Sequence, residues 1–167
     1  MRHAKSSCEF NRRIAKPPSF VVYQSLTRYE APMTQIAQSS FVIDKKDAAP
    51  VDWEGGNMGH NSFYKTFSGD ITGTSLVKAI MLVTENAGPA VYVGVERFNC
   101  TVHGRQGTFL LTHTAFMPDP QNITRWQIVP GSGTAGLAGI SGAGEIQPGH
   151  NFRLEYSLHE TGANGDA

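Results

Sequence analysis

Val129-Pro130-Gly131-Ser132-Gly133-Thr134-Ala135-Gly136-Leu137-Ala138-Gly139-Ile140-Ser141-Gly142-Ala143-Gly144 is the stretch whose reading decides the fold. Six of its sixteen residues are glycine and none is charged. It can be a flexible linker, a phosphate-cradling loop, or a strand relieved by glycine in a bent sheet. By letter, Gly131–Gly136 matches G-x-G-x-x-G, which binds a pyrophosphate by opening a helix. Gly139, Gly142 and Gly144 follow, however, and each costs a helix ~1 kcal/mol relative to alanine. No βαβ unit surrounds the motif. The remaining reading is a turn at Gly131–Gly133 feeding a strand whose glycines allow sharp bending and close packing.

The flanking sequence agrees with that reading. Ser40–Ile43 is a short apolar run that ends in a polar turn, Asp44–Asp47, and residues 48–60, with Pro50, Gly55, Gly56 and Gly59, read as a loop. Ser62–Gly73 alternates around Phe63, Lys65, Phe67 and Gly69. Ser75–Thr84, Ala90–Val102, Thr108–Phe116, Thr124–Val129 and Asn151–Leu158 are strand-length runs separated by Gly, Pro, Asn and Asp. Turn chemistry at such spacing, with no amphipathic helical period, predicts an all-β antiparallel sandwich or barrel. A closed eight-stranded antiparallel barrel is favoured because closure removes exposed strand edges.

Composition bounds the function. The 167 residues suit one domain, and a formal net charge of zero gives no support to nucleic-acid binding. Residues 1–32 carry six Lys/Arg against Glu9 and Glu30, with Pro17, Pro18 and Pro32 nearby. This predicts an irregular basic N-terminal extension over residues 1–37, with Phe20–Gln24 adding a short strand. The barrel domain is then expected over 38–160, and a disordered tail over 161–167. Cys8 and Cys100 sit in unlike settings and make neither a disulfide framework nor a metal site, so a reduced, cytoplasmic compartment is expected. No run of ~20 apolar residues is present, so no membrane association is expected. The histidines His60, His103, His150 and His159 share no ligand spacing, and no metal or other cofactor is called for.

The runs on either side of Gly104 define a hairpin. With Gly104-Arg105 as a two-residue turn, Glu96 lies directly opposite His113, Phe98 opposite Leu111, and Cys100 opposite Phe109. Any even-length turn keeps these residues on one face. That face (Tyr92, Glu96, Phe98, Cys100, Phe109, Leu111, His113) is the bulkier and more aromatic and is assigned to the interior. Glu96 and His113 are the candidate acid/base pair, since burial and mutual charge move such groups toward useful pKa values. The structural alternative is a self-satisfied pair that fixes register. Tyr92, Phe98, Phe109, Leu111, Trp126 and Tyr156 are the candidate ligand-binding residues. Val91, Val93, Val95 and Leu110 fall on the outer face, where an apolar strip suggests a homo-oligomer.

The ordered combination Tyr92-Val-Gly-Val-Glu96-Arg97, Gly104-Arg-Gln-Gly107-Thr-Phe109-Leu-Leu-Thr-His113 and Val129-Pro-Gly-Ser-Gly133 resembles a family of small, mostly bacterial proteins. That family is a domain of unknown function with an allene oxide cyclase-like barrel. Phe67–Thr74 and His150–Leu158 fit the same pattern, and the resemblance covers residues 39–159. It implies a barrel with a central cavity, and no catalytic residue of the plant cyclases can be placed on this chain. The resulting expectation is a lumen that binds a small apolar or aromatic molecule. It would act either as a cofactor-independent isomerase, cyclase or lyase or as a lipocalin-like binding module.

Overall fold

The computed structural model describes residues 33–84, 90–117 and 124–159. The expected Phe20–Gln24 strand, the turns at 85–89 and 118–120 and the tail 161–167 lie outside them. Eight strands follow one another: β1 (Gln35–Val51), β2 (Gly56–Gly69), β3 (Ile71–Thr84), β4 (Ala90–Val102), β5 (Arg105–Met117), β6 (Thr124–Ile128), β7 (Ile140–Gln147) and β8 (Asn151–Leu158). Each pairs antiparallel with its neighbour, and β8 returns to β1, so the sheet closes into a barrel.

Period-two alternation places the core. In β4, Glu96, Phe98, Cys100 and Val102 point inward, while Val95, Arg97 and Asn99 face solvent. Phe98 and Phe109 stack with ring centroids 4.5 Å apart and planes 6° from parallel. Phe67 and Phe152 pack against Phe98 at 5.2 and 5.8 Å. Each such buried ring contributes about 2–3 kcal/mol of apolar transfer. Leu111, Leu137, Ile140 and Leu154 complete this end, all with 0–1% of their surface exposed.

The hairpin register differs from the expectation by two residues. The turn is His103-Gly104, with φ of +45° and +80°, so Val102 pairs Arg105 and Phe98 pairs Phe109. Positive φ at both central positions is the geometry that matches strand twist in a tight hairpin. Glu96 therefore opposes Leu111, and His113 opposes Gly94. Both turns are even, so the faces are unchanged: Glu96 and His113 still point inward, diagonally related.

Three other local expectations are corrected. Asp44–Asp47 is not a turn: β1 runs through it, with a β-bulge between Ile43 and Lys45. Residues 48–60 are not a loop, because Ala48–Val51 pair with Met58–Asn61 and Gly56 and Asn57 pair with Thr84 and Val83 of β3. Ser62–Gly73 is not one strand, since the chain reverses at Asp70, between β2 and β3. The glycine stretch makes a turn, with Ser132 Oγ bonded to Val129 O and accepting from Leu110 N. A single turn of 3-10 helix, Ala135–Leu137, then precedes β7 and inserts Leu137 into the barrel end. In β7 a Cβ on Gly144 would come within 2.7–2.8 Å of the Phe152 ring, so the strand approaches the core only as glycine.

Closure is uneven along the barrel axis. Among the described residues β1 pairs with β8 only from Gln35 to Ser40, and β6 meets β7 through one pair, Gln127 with Ala143. Beyond Phe41, whose amide donates to His150 O at 3.0 Å, β1 pairs with β2 alone. Strands β1–β5 thus extend past the β7–β8 hairpin and form a curved, open-sided trough above the packed end.

Candidate functional site

At the floor of the trough, β2, β3, β4 and β5 each deliver one inward polar side chain: Lys65, Ser75, Glu96 and His113. Their exposures are 5%, 6%, 0% and 0%. Lys65 Nζ is 3.1 Å from both carboxylate oxygens of Glu96. Ser75 Oγ donates to Glu96 Oε1, and His113 Nε2 lies 2.9 Å from Glu96 Oε2. The Nε2 hydrogen is off the line to that oxygen, so the two atoms are in close contact without an aligned hydrogen bond. Burial by itself pushes the Glu96 carboxyl up. His113, Lys65 and Ser75 together more than offset it, and the carboxyl is held below its ordinary value. Glu96 is therefore an ionised carboxylate with both oxygens engaged.

Aromatic rings enclose this cluster. The His113 ring lies 3.8 Å from Trp126, at 20° to it, and 5.9 Å from Tyr92. Lys65 Nζ sits over Phe41 at 4.8 Å and over Trp126 at 5.7 Å. Tyr92 Oη is 3.4 Å from His113 Nδ1, and burial, then the Glu96 charge, pushes its hydroxyl pKa upward. That hydroxyl reaches back along β4 over Gly94, where a Cβ would stand 3.3 Å from Oη and 3.0 Å from Ala79 Cβ. Cross-strand pairing puts Ala48, Asn61, Ala79, Gly94 and His113 in one inward row. The Tyr92 hydroxyl covers this row at Gly94, and the half-buried Phe63, Met81, Tyr92 and Trp126 line the inner face beyond it.

The sequence-derived candidates divide into three places. Glu96, His113, Tyr92 and Trp126 come together at the trough floor. Phe98, Phe109 and Leu111 lie in the packed end, facing core side chains rather than open space. Tyr156 belongs to a clasp at the far end, where its hydroxyl donates to Gln35 Oε1 at 3.0 Å and contacts His103 Nδ1 at 2.8 Å. His103 Nε2 lies 3.6 Å from Asp70. Lys65 and Ser75 were absent from the candidates, although Phe63-x-Lys65-x-Phe67 places the lysine on an apolar face by period alone. Val93 and Val95 are exposed and Val91 and Leu110 half-buried on the outer wall.

Other chemistries lack a setting. Among the described residues no group of three His, Cys, Asp or Glu can hold a metal. Cys100 is buried, and burial pushes its thiol up to about 12, which leaves no thiolate for nucleophilic attack. No helix among the described residues is long and apolar enough to cross a membrane. A groove of about 750 Å³ lies on the outside of β6, β7 and β8, lined by Gln127, Glu145, Arg153 and Glu155. It is polar and open, and it shares no residue with the buried cluster.

No curated protein matches the chain. A crystal structure of a protein of unknown function of the DUF3224 family from Shewanella oneidensis MR-1 is similar at 26% identity and a TM-score of 0.62. The match covers 76% of this chain and 99% of that one. The model of the family described as "Protein of unknown function (DUF3224)" matches residues 37–159. That match spans well over half of the sequence and takes in all of the barrel but the first two residues of β1, so the chain belongs to the DUF3224 family.

Proposed function

We propose that the trough binds a small apolar or aromatic molecule and that His113 moves a proton within it, a cofactor-independent isomerisation. The observation that carries this reading is the fully buried Glu96–Lys65–Ser75–His113 cluster beneath half-buried aromatic rings. Ionisable groups are costly to bury, and their concentration under a cleft is a mark of function.

The roles follow from what each atom already touches. Glu96 is a poor proton carrier, because its oxygens are engaged and its carboxyl is held ionised. Its charge beside Nε2 favours the imidazole tautomer protonated there, which leaves the Nδ1 lone pair on the Tyr92 side. Nδ1 takes a proton from an acidic carbon of the bound molecule. The Tyr92 hydroxyl, kept protonated by its raised pKa, donates a hydrogen bond to the oxygen that gains charge. Return of the proton to another atom gives the isomer, with no change in oxidation state. Lys65 balances Glu96, so the site carries no net charge from that pair. Trp126 and Tyr92 supply the apolar walls.

The test uses 2-acetonaphthone, an aromatic ketone with exchangeable protons beside its carbonyl, in D₂O. The full-length protein is expected to accelerate α-proton exchange, followed by NMR, with His113→Ala abolishing the effect. Tyr92→Phe, which spares the buried pair, should slow exchange about 100-fold, the scale of one positioned proton donor. Binding without exchange would reduce the protein to a lipocalin-like binding module. Absence of binding would remove the trough as a site.

A further inference from the structure

Lys45 and Lys46 are adjacent in sequence, and the β-bulge sends them to opposite faces. Lys45 pairs with Tyr64 on the outer wall, forms an ion pair with Asp47 at 2.8 Å, and lies over the Tyr64 ring at 5.2 Å. Lys46 pairs with Phe63 on the inner face, and its Nζ stands over that ring at 5.4 Å. The row continues inward from Phe63 to Val77 and then Glu96. Without the extra residue at Asp44, the alternation that puts Phe41 inside would put Lys45 inside and Lys46 out.

Charge on the inner face is consequently unbalanced. Lys65 is spent on Glu96, at 3.1 Å to each oxygen. Lys46 contacts no carboxylate among the described residues; its contact is the Phe63 ring. Among the described residues the inner face thus offers one unneutralised ammonium at the rim, beside apolar and aromatic walls. An ammonium on a bulged strand over a half-buried ring is arranged to meet a single negative charge on a molecule whose body lies along Phe63, Tyr92 and Trp126.

We infer that the trough selects apolar or aromatic molecules that carry one anionic group, and that Lys46 is the residue that recognises this group. This rests on the reading of the trough as the binding site. Lys46 positions the molecule at its charged end, and His113 lies at the other.

The test compares three probes of the same ring system: 2-naphthoate, naphthalene-2-sulfonate and the neutral 2-acetonaphthone. Each is titrated into the full-length protein at low salt, with binding read by NMR. The two anions are expected to bind about fivefold more tightly than the ketone, the scale of one partly exposed ion pair. Lys46→Gln should bring both anions down to the ketone's affinity and leave the ketone unchanged. Lys45→Gln should leave all three unchanged, and 0.5 M salt should erase the preference. If the ketone binds but the anions show no preference, or keep it in Lys46→Gln, the inference about charge is overturned while the trough remains a site. If a preference survives for the carboxylate alone or the sulfonate alone, Lys46 reads that group's geometry rather than its charge, and the inference as stated fails. If none of the three binds, the trough reading fails and takes this inference with it.

Discussion

Along the same two strands, Phe98 and Phe109 stack 4.5 Å apart at the closed end, while Glu96 and His113 meet 2.9 Å apart beneath the trough. All four side chains have 0% exposure. The rings need only to exclude water and fit one another. The charged pair must replace every interaction that water would have supplied, and it draws on Lys65 and Ser75 to do so. An apolar cluster of similar volume would be stabilised about as well or better. Equal burial with opposite chemistry therefore separates the barrel into an end that holds the fold and an end that does not need its polarity for folding.

The largest effect that can break this comparison comes from removing one charge. Glu96→Leu strands Lys65 in the interior and should cost about 3–5 kcal/mol in urea unfolding. Phe98→Ala should cost a similar amount by leaving a cavity. The two ends then part company: adding Lys65→Met to Glu96→Leu should recover most of the loss, whereas no second truncation rescues Phe98→Ala. Additive losses at Glu96 and Lys65 would mean that the charged cluster holds the fold as the rings do.

A smaller effect appears with pH. The folded-state pKa of Glu96 is depressed, so its contribution to stability is fully present above the unfolded value, about 4.3. It is lost as pH falls through the lower folded value. Urea midpoints measured from pH 6 down to pH 3 should fall more steeply for the native protein than for Glu96→Gln. Phe98→Leu should keep the native slope. Parallel curves for native protein and Glu96→Gln would contradict an ionised, engaged carboxylate.

The smallest effect concerns the clasp at the far end, where Tyr156 joins β8 to Gln35 of β1 and to His103. Tyr156→Phe should cost about 1–2 kcal/mol, since it removes one hydroxyl from two partners in a mostly packed setting. The same substitution should leave α-proton exchange at the trough unchanged. A loss of exchange without a loss of stability would place the chemistry at the wrong end.

What could be read from the chain divides along the same line. The packed end was legible because its strands alternate cleanly: Phe98, Cys100 and Val102 against Arg97 and Asn99, and Phe152, Leu154 and Tyr156 along β8. The hairpin face was legible for the same reason, which is why Glu96 and His113 could be placed together. Its register was not, because a histidine rather than a glycine takes the first left-handed position of the turn. Residues 44–60 were unreadable as strand, since beyond the β7–β8 hairpin both faces are largely exposed and the apolar alternation disappears. Lys65 was hidden by convention, because a lysine between two phenylalanines reads as the polar partner unless its period is counted. No local pattern announces Ser75, which joins the cluster only through the pairing of β3 with β4.

Among the described residues β6 and β7 share a single ladder pair, Gln127 with Ala143, while β2, β3, β4 and β5 are joined along almost their whole lengths. Amide protons in those long strands are released only by large-scale opening, whereas parting β6 from β7 breaks very little backbone bonding. The barrel thus behaves as a stiff sheet sewn shut along a loose hem. Amide exchange is expected to be slowest in the β2–β5 panel that carries Lys65, Ser75, Glu96 and His113, and faster in the glycine-rich strand β7.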